Sequence, residues 1–196
     1  MSAVLTNLRN TVIAAIVLAI IVFLIVGLQR NDSFDITFWS WLFRYFHIAA
    51  GVMWIGLLWY FNFVQMPSMP KIPDEQKPAI GKVIAPAALF YFRWAAMVTL
   101  ITGLIVAHLS GYLVDALMLG QMTGQATIIG VGMWLAIIMW FNVWFVIWPN
   151  QKKALGIVQV EADVKAKAAR TAMLFSRINT LLSLAMLLCM TGQMHL

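Results

Sequence analysis

The chain has 196 residues, of which 63% are hydrophobic and only 10% are charged. A soluble globular domain carries about 25% charged residues, so lipid rather than water must solvate most of this protein. The net charge of +6 does not indicate nucleic-acid binding, because basic loops are expected of any membrane protein. The single cysteine excludes an internal disulfide and a C-x-x-C-H attachment site for c-type haem.

Five apolar runs are each long enough to cross a bilayer as a helix, which takes about 17–25 residues. They are residues 11–28, 46–64, 87–108, 126–148 and 178–194. The pattern predicts an all-α polytopic membrane helix bundle with five transmembrane helices. We divide it into an N-terminal transmembrane helix and loop, residues 1–36, and a four-helix transmembrane bundle, residues 37–196.

Local signals predict where these helices begin and end. Trp39, Trp41 and Tyr45 resemble an interfacial aromatic belt that precedes the second helix. Pro149 is expected to end the fourth helix. A short surface helix is expected to start at residues 74–77, and the fifth helix to extend backwards to about residue 166.

Lysine and arginine predict the orientation. The connection 65–85 contains three lysines, and the connection 150–170 contains four lysines and an arginine, whereas the connection 109–125 has neither residue type. Because Lys and Arg accumulate on the cytoplasmic side, we expect the N-terminus inside and the C-terminus outside. The expected location is the bacterial inner membrane, as a multi-pass protein.

This topology brings all three histidines to the outer face. His47 begins the second helix, His108 ends the third and His195 ends the fifth. An ionisable side chain inside a bilayer is costly, and it therefore marks a candidate functional site.

A b-type haem is the first candidate ligand for these histidines. His47 shares a helix face with Gly51 and Trp54, which would leave room for a macrocycle and pack against it. Arg44, one turn nearer the surface, is placed to pair with a propionate. The opposite axial ligand would be His108 or His195, and spacing does not choose between them.

Two other interpretations stay open. His47, His108 and His195 could instead hold a zinc or copper ion, since three imidazoles with an open position form a catalytic metal site. Alternatively, His47 only bonds a neighbouring helix and the chain has no cofactor.

Polar residues also gather in the inner third of the helices. They could form a pocket for a quinone headgroup, a propionate or a partner subunit. Equally, arginines snorkel to the headgroups and asparagines bond across packed helices. The residues are Asn62, Arg93, Asn142, Arg177 and Asn179.

Three segments resemble the membrane domain of the bacterial urate hydroxylase family. This domain is called the urate oxidase N-terminal domain. The first is His47-x₆-Trp54-x-Gly56, a pattern that also occurs in CopD-like proteins and in membrane proteins of haem biosynthesis. The second is IMWFNVWFVIWPNQKK at residues 138–153, and the third is SRINTLLS at residues 176–183.

The resemblance implies a polytopic membrane protein that is linked to oxidation and reduction and carries haem. Full-length members have more helices and a C-terminal cytochrome c domain, and they have a proline at the position of Ala185. The electron acceptor of this chain is therefore expected to be a separate protein. The matching residues are His47, Asn142, Pro149, Gln151, Asn179 and His195.

Together these observations predict an integral membrane redox protein with b-type haem near the outer face. It would exchange electrons with a separate cytochrome or a larger membrane complex. The alternative is a non-catalytic accessory subunit of a larger complex, with the first helix and the aromatic fourth helix as docking surfaces.

Overall fold

A computed structural model of the chain describes residues 2–28 and 34–192, and every regular element in these ranges is a helix. Five helices are long and apolar enough to cross a membrane, which confirms the expected number. The helices are α1 (Ser2–Leu5), α2 (Leu8–Leu28), α3 (Ile36–Lys71), α4 (Lys77–Leu109), α5 (Leu113–Leu117), α6 (Thr127–Ala154) and α7 (Ala162–Gly192).

Helix α3 begins earlier than expected. The side chain of Asp35 caps it by accepting a hydrogen bond of 2.8 Å from the amide of Phe38. Because this cap satisfies one of the free amides of the first turn, the helix starts at Ile36. The aromatic residues at positions 39, 41 and 45 therefore lie inside the helix, and not in an approach that precedes it.

The expectation that Pro149 ends the fourth helix is wrong. A π-helical segment, Asn142–Ile147, directly precedes the α-helical turns Trp148–Ala154, and the proline lies at the start of those turns. Proline is tolerated where a helical segment starts, because the amide hydrogen it lacks is not needed there. The helix consequently continues to Ala154.

Two further boundaries differ from the sequence expectations. No separate surface helix forms at residues 74–77; instead, α4 starts at Lys77 and runs through the π-helical segment Ile80–Ile84 into the apolar span. Helix α7 begins at Ala162, four residues before the expected position.

The core lies where α3 packs along α4 and α6 packs along α7. Trp54 and Leu58 from α3 meet Phe92 and Ala96 from α4 and Met139 from α6 in one buried cluster. Both helix pairs thus contribute to one shared apolar core.

Helix α2 lies apart from this core. Gly27 is the one buried residue of α2, and it lies against the ring of Phe38. Phe23 also contacts Phe38 and stacks on Trp41. The remaining apolar side chains of α2 are mostly exposed. The division of the chain at residue 36 stays a prediction.

Candidate functional site around His47

His47 is fixed between α3 and α4. Its Nδ1 atom lies 2.8 Å from the backbone oxygen of Thr99. A carbonyl oxygen only accepts hydrogen bonds, so Nδ1 donates, and the lone pair of the neutral imidazole is then on Nε2. The contact with α4 therefore selects one tautomer of the ring.

Gly103 on α4 leaves room for the imidazole of His47. A Cβ atom built on Gly103 would lie 2.8 Å from Cε1 and 3.0 Å from Nδ1 of His47. Real side chains essentially never approach so closely, and only glycine leaves the space that the imidazole occupies. Gly103 and Thr99 are the two site residues that the sequence analysis missed.

The threonine hydroxyls next to His47 bond within α4. The Thr99 hydroxyl donates to the backbone oxygen of Ala95 at 2.8 Å. The Thr102 hydroxyl donates to the backbone oxygen of Val98 at 2.6 Å, with a longer contact of 3.3 Å to the Thr99 oxygen. Threonine commonly bonds to the preceding turn in this way in apolar helices. The carbonyl that orients His47 is thereby part of a polar strip along α4.

Gly51 and Trp54 do not line an open space in this structure. A Cβ on Gly51 would meet the Thr99 methyl group at 3.8 Å, so α4 already fills the position that was expected to receive a macrocycle. Trp54 is only 1% exposed and belongs to the central core. Both residues therefore serve the α3–α4 contact, and their role beside a cofactor stays a prediction.

Arg44 lies in the N-terminal part of the same helix, which begins at Ile36. Its charge acts on His47 and on Tyr112, which follows the end of α4. Burial raises the pKa of the Tyr112 phenol, and the nearby positive charge of Arg44 offsets part of this rise. Arg44 thus adds positive charge to the His47 site, as the spacing along the helix predicts.

The observed contacts do not bring His108 to His47. His108 is exposed near the end of α4. His195 lies outside the described residues, so the expected convergence of three histidines is untested. Within residues 2–28 and 34–192, no group of three or more His, Cys, Asp or Glu could hold a metal ion.

Beyond the end of α4, an ordered connection is organised by Asp115. Its carboxylate accepts hydrogen bonds from the amides of Met122 and Thr123, at 2.9 and 3.2 Å, and from the Thr123 hydroxyl. These bonds hold the pKa of the Asp115 carboxyl below its ordinary value, and the bond from the Thr123 hydroxyl has the largest effect. The connection then packs on α6 where Gly130 faces the backbone of Ala116.

The inner polar residues form separate groups and not one pocket. Asn142 donates to the side-chain oxygen of Asn179 at 2.8 Å, and Asn179 donates to the backbone oxygen of Met139 at 2.9 Å. Asn62 donates at 2.8 Å to the hydroxyl of Ser176. These bonds join α6 and α3 to α7, as expected of asparagines between packed membrane helices.

The two inner arginines lie in different surroundings. The guanidinium of Arg93 stacks on the indole of Trp148, with Cζ 3.6 Å from the ring centroid. Its Nη1 atom is buried and has no hydrogen-bond partner. Arg177, in contrast, is exposed and lines a groove with Asn62. A single site that contains both arginines is therefore not formed.

Comparison with known families gives one match. Residues 111–195 match the family described as urate oxidase N-terminal. This confirms the expected resemblance over α5, α6 and α7, whereas His47 precedes the matched range and the CopD-like resemblance is not confirmed. No curated protein and no solved structure matches the chain.

Proposed function

We propose that the chain is an integral membrane redox protein that binds b-type haem through His47 and exchanges electrons with a partner protein. The observation that carries this proposal is the hydrogen bond between Nδ1 of His47 and the Thr99 carbonyl. Metal-ligating histidines almost always donate their other ring N–H to such a group, which fixes the ring and raises its basicity. The match of residues 111–195 to the urate oxidase N-terminal family supports a redox role.

The residues fit this cofactor in one respect and restrict it in another. Nε2 of His47 takes no part in the bond to Thr99 and has the lone pair that an axial ligand needs. A Cβ on Gly51 would be in ordinary contact with the Thr99 methyl group at 3.8 Å, so the space beside Gly51 is no larger than a methyl group and a macrocycle would lie on another side of the imidazole. When bound there, haem would supply reversible one-electron transfer.

Other residues would support this role. Arg44 would pair with a propionate, because its charge already acts on the His47 site. His108 or His195 would supply the opposite axial ligand. We further propose that the protein resides in the bacterial inner membrane, and that a separate cytochrome or a larger membrane complex is its redox partner.

The test is the haem content per chain, measured as the pyridine haemochrome of purified wild type and of His47→Ala, His108→Ala and His195→Ala. We expect about one haem per wild-type chain and a loss of most of it in His47→Ala. One of the other two variants should also lose haem, and this identifies the second ligand. Full haem content in His47→Ala would refute the assignment of His47. Bound zinc or copper without haem would favour the metal-ion alternative.

A second candidate function is that of a non-catalytic accessory subunit, which the uncovered surface of α2 favours. Helix α2 is the most apolar of the five spans, yet almost none of its residues is buried within the chain. A helix with so few internal contacts is free to pack against another membrane protein. An accessory role predicts no cofactor in the wild type and full function of the host complex with His47→Ala.

A further inference from the structure

A groove on the surface of the bundle lies between α3 and α7. It has a volume of about 480 Å³ and is open on one side. In the expected topology, Asn62 and Arg177 lie nearer the cytoplasmic face than Leu181 and Leu184, because α7 runs towards the outer face and Asn62 bonds to Ser176 beside Arg177. The lining residues are Asn62, Phe63, Arg177, Thr180, Leu181 and Leu184.

Arg177 supplies the charge of this groove. It is exposed and stands where α7 changes from a charged first half to an apolar second half. Within the described ranges, the ion pairs are Lys77 with Asp74 and Lys167 with Asp163, and neither pair involves Arg177. A guanidinium at this depth, with no acidic residue in the groove lining, attracts an anion.

The donor groups of the other polar residues of the groove are used within the protein, whereas the side-chain oxygen of Asn62 is buried without a hydrogen-bond partner. The amide of Asn62 donates to the backbone oxygen of Leu58 at 2.9 Å and to the Ser176 hydroxyl at 2.8 Å. The hydroxyl of Thr180 donates to the Ser176 backbone oxygen at 3.1 Å. Arg177 is therefore the donor that is left to bind a ligand.

An apolar stripe continues from Arg177 along α7. Leu181, Leu184 and Leu188 follow it at intervals of four, seven and eleven residues, which places all four side chains on one helix face. The three leucines are 74%, 65% and 72% exposed. Phe63 from α3, itself exposed, forms the opposite wall of the groove. One cation at the end of an exposed apolar stripe matches a phosphate headgroup with its acyl chain.

We propose that this groove binds one anionic phospholipid, with its phosphate on Arg177 and an acyl chain along Leu181 and Leu184. Free phosphate would use the guanidinium but would leave the apolar lining uncovered. A phospholipid covers both parts, and burial of its chain adds to the electrostatic attraction. The site is independent of His47 and of any cofactor there.

Native mass spectrometry of the full chain tests this proposal. The delipidated protein in neutral detergent is titrated with phosphatidylglycerol and, separately, with phosphatidylcholine. We expect one tightly bound phosphatidylglycerol per wild-type chain and about fivefold weaker binding to Arg177→Gln. Arg170→Gln is the matched control, because this exposed arginine lies seven residues earlier on the same helix face, before the groove begins. It should bind as the wild type does.

Several results would overturn the proposal. One is equal affinity of the wild type for the two lipids, and another is equal affinity of Arg177→Gln and wild type for phosphatidylglycerol. The third is full displacement of the lipid by inorganic phosphate, because this result would indicate a site for the free anion. Arg177→Lys keeps the charge and should retain most of the binding, so the proposal stays testable if Arg177→Gln fails to fold. An Arg177-dependent dimer that excludes the lipid would assign the groove to a second copy of the chain instead.

Discussion

Gly103 decides where the ring of His47 can lie. We expect Gly103→Ala to push the imidazole away from Thr99, because the added Cβ would come within 2.8 Å of the ring. Overpacking of this kind costs about 1–3 kcal/mol of stability, and the proposed haem should be bound more weakly. Thermal unfolding and haem content of the purified variant measure both effects.

Gly56→Ala is the control for this substitution. Gly56 lies on the same helix as His47, and a Cβ there would meet nothing within 4 Å. Alanine is also the better helix former, so this variant should be as stable as the wild type or slightly more stable. Equal behaviour of Gly103→Ala and Gly56→Ala would contradict the described packing of His47.

Asn142 and Asn179 form a buried pair whose contribution can be measured directly. A double-mutant cycle with Asn142→Ala and Asn179→Ala should give a coupling energy of about 0.6–1.7 kcal/mol, the range found for hydrogen bonds between membrane helices. The free energy of unfolding in mixed micelles is the measurement. Asn150 bonds within its own helix to Val146, so Asn150→Ala and Asn179→Ala should be additive. A coupling energy of zero between Asn142 and Asn179 would contradict the hydrogen bond between their side chains.

At the level of single residues, the sequence predicted the types of interaction better than the partners. The asparagines of the inner third could be recognised as polar residues between helices, but which of them meet depends on the rotation of each helix. His47 was recognisable as an ionisable residue in an apolar run. Its partner is a backbone carbonyl on α4, and every residue has such a carbonyl, so the sequence contained no signal for Thr99.

Among the elements, the connection around α5 depends on one carboxylate. We expect Asp115→Asn to lower the Tm at neutral pH, because a neutral amide replaces a charged acceptor of three hydrogen bonds. The folded-state pKa of Asp115 is lowered, so its contribution is complete above the unfolded-state pKa of about 3.9. It is lost as the pH falls through the folded-state pKa. The difference in Tm between variant and wild type should therefore shrink towards low pH.

Asp163→Asn provides the comparison for Asp115→Asn. Asp163 forms an exposed pair with Lys167 at 3.8 Å, and such surface pairs contribute little. We expect nearly the same Tm as the wild type at every pH. If the difference in Tm between Asp115→Asn and the wild type does not change with pH, the charge of this carboxylate does not stabilise the connection.

The five long helices could be predicted from the apolar runs, because each run is long enough to cross a bilayer and Arg93 is the one Asp, Glu, Lys or Arg residue inside the five runs. Their ends could not. The cap at Asp35 and the π-helical segment before Pro149 depend on local geometry, whereas the sequence predicted the start of the second helix at residue 46 and the end of the fourth at Pro149. Proline inside a helix either kinks the helix or ends it, and the residue type alone does not decide between the two outcomes.

For the molecule as a whole, the orientation in the membrane stays a prediction, and cysteine labelling tests it. In a Cys189→Ser background, single cysteines replace Met122 in the connection after α5 and Gln159 between α6 and α7, both exposed positions. A membrane-impermeant maleimide should label Met122→Cys in intact cells and Gln159→Cys only after permeabilisation. The reverse pattern would contradict the orientation that the lysines predict.

The whole molecule has two helix pairs around one apolar core, with His47 near one end and the Arg177 groove near the other. Helix α2 lies at the side of the bundle and leaves most of its surface for lipid or for another protein. This arrangement suits a subunit that exchanges electrons with a partner, since both the expected outer face and a lateral face are available for contact.

The most direct test of a redox role is a dithionite-reduced minus oxidised absorption spectrum of the wild-type protein, purified after haem-replete expression. Our account predicts a b-type α-band in the wild type and its disappearance in His47→Ala. A flat spectrum from folded wild-type protein would contradict the proposed haem and would leave the accessory-subunit function as the better explanation.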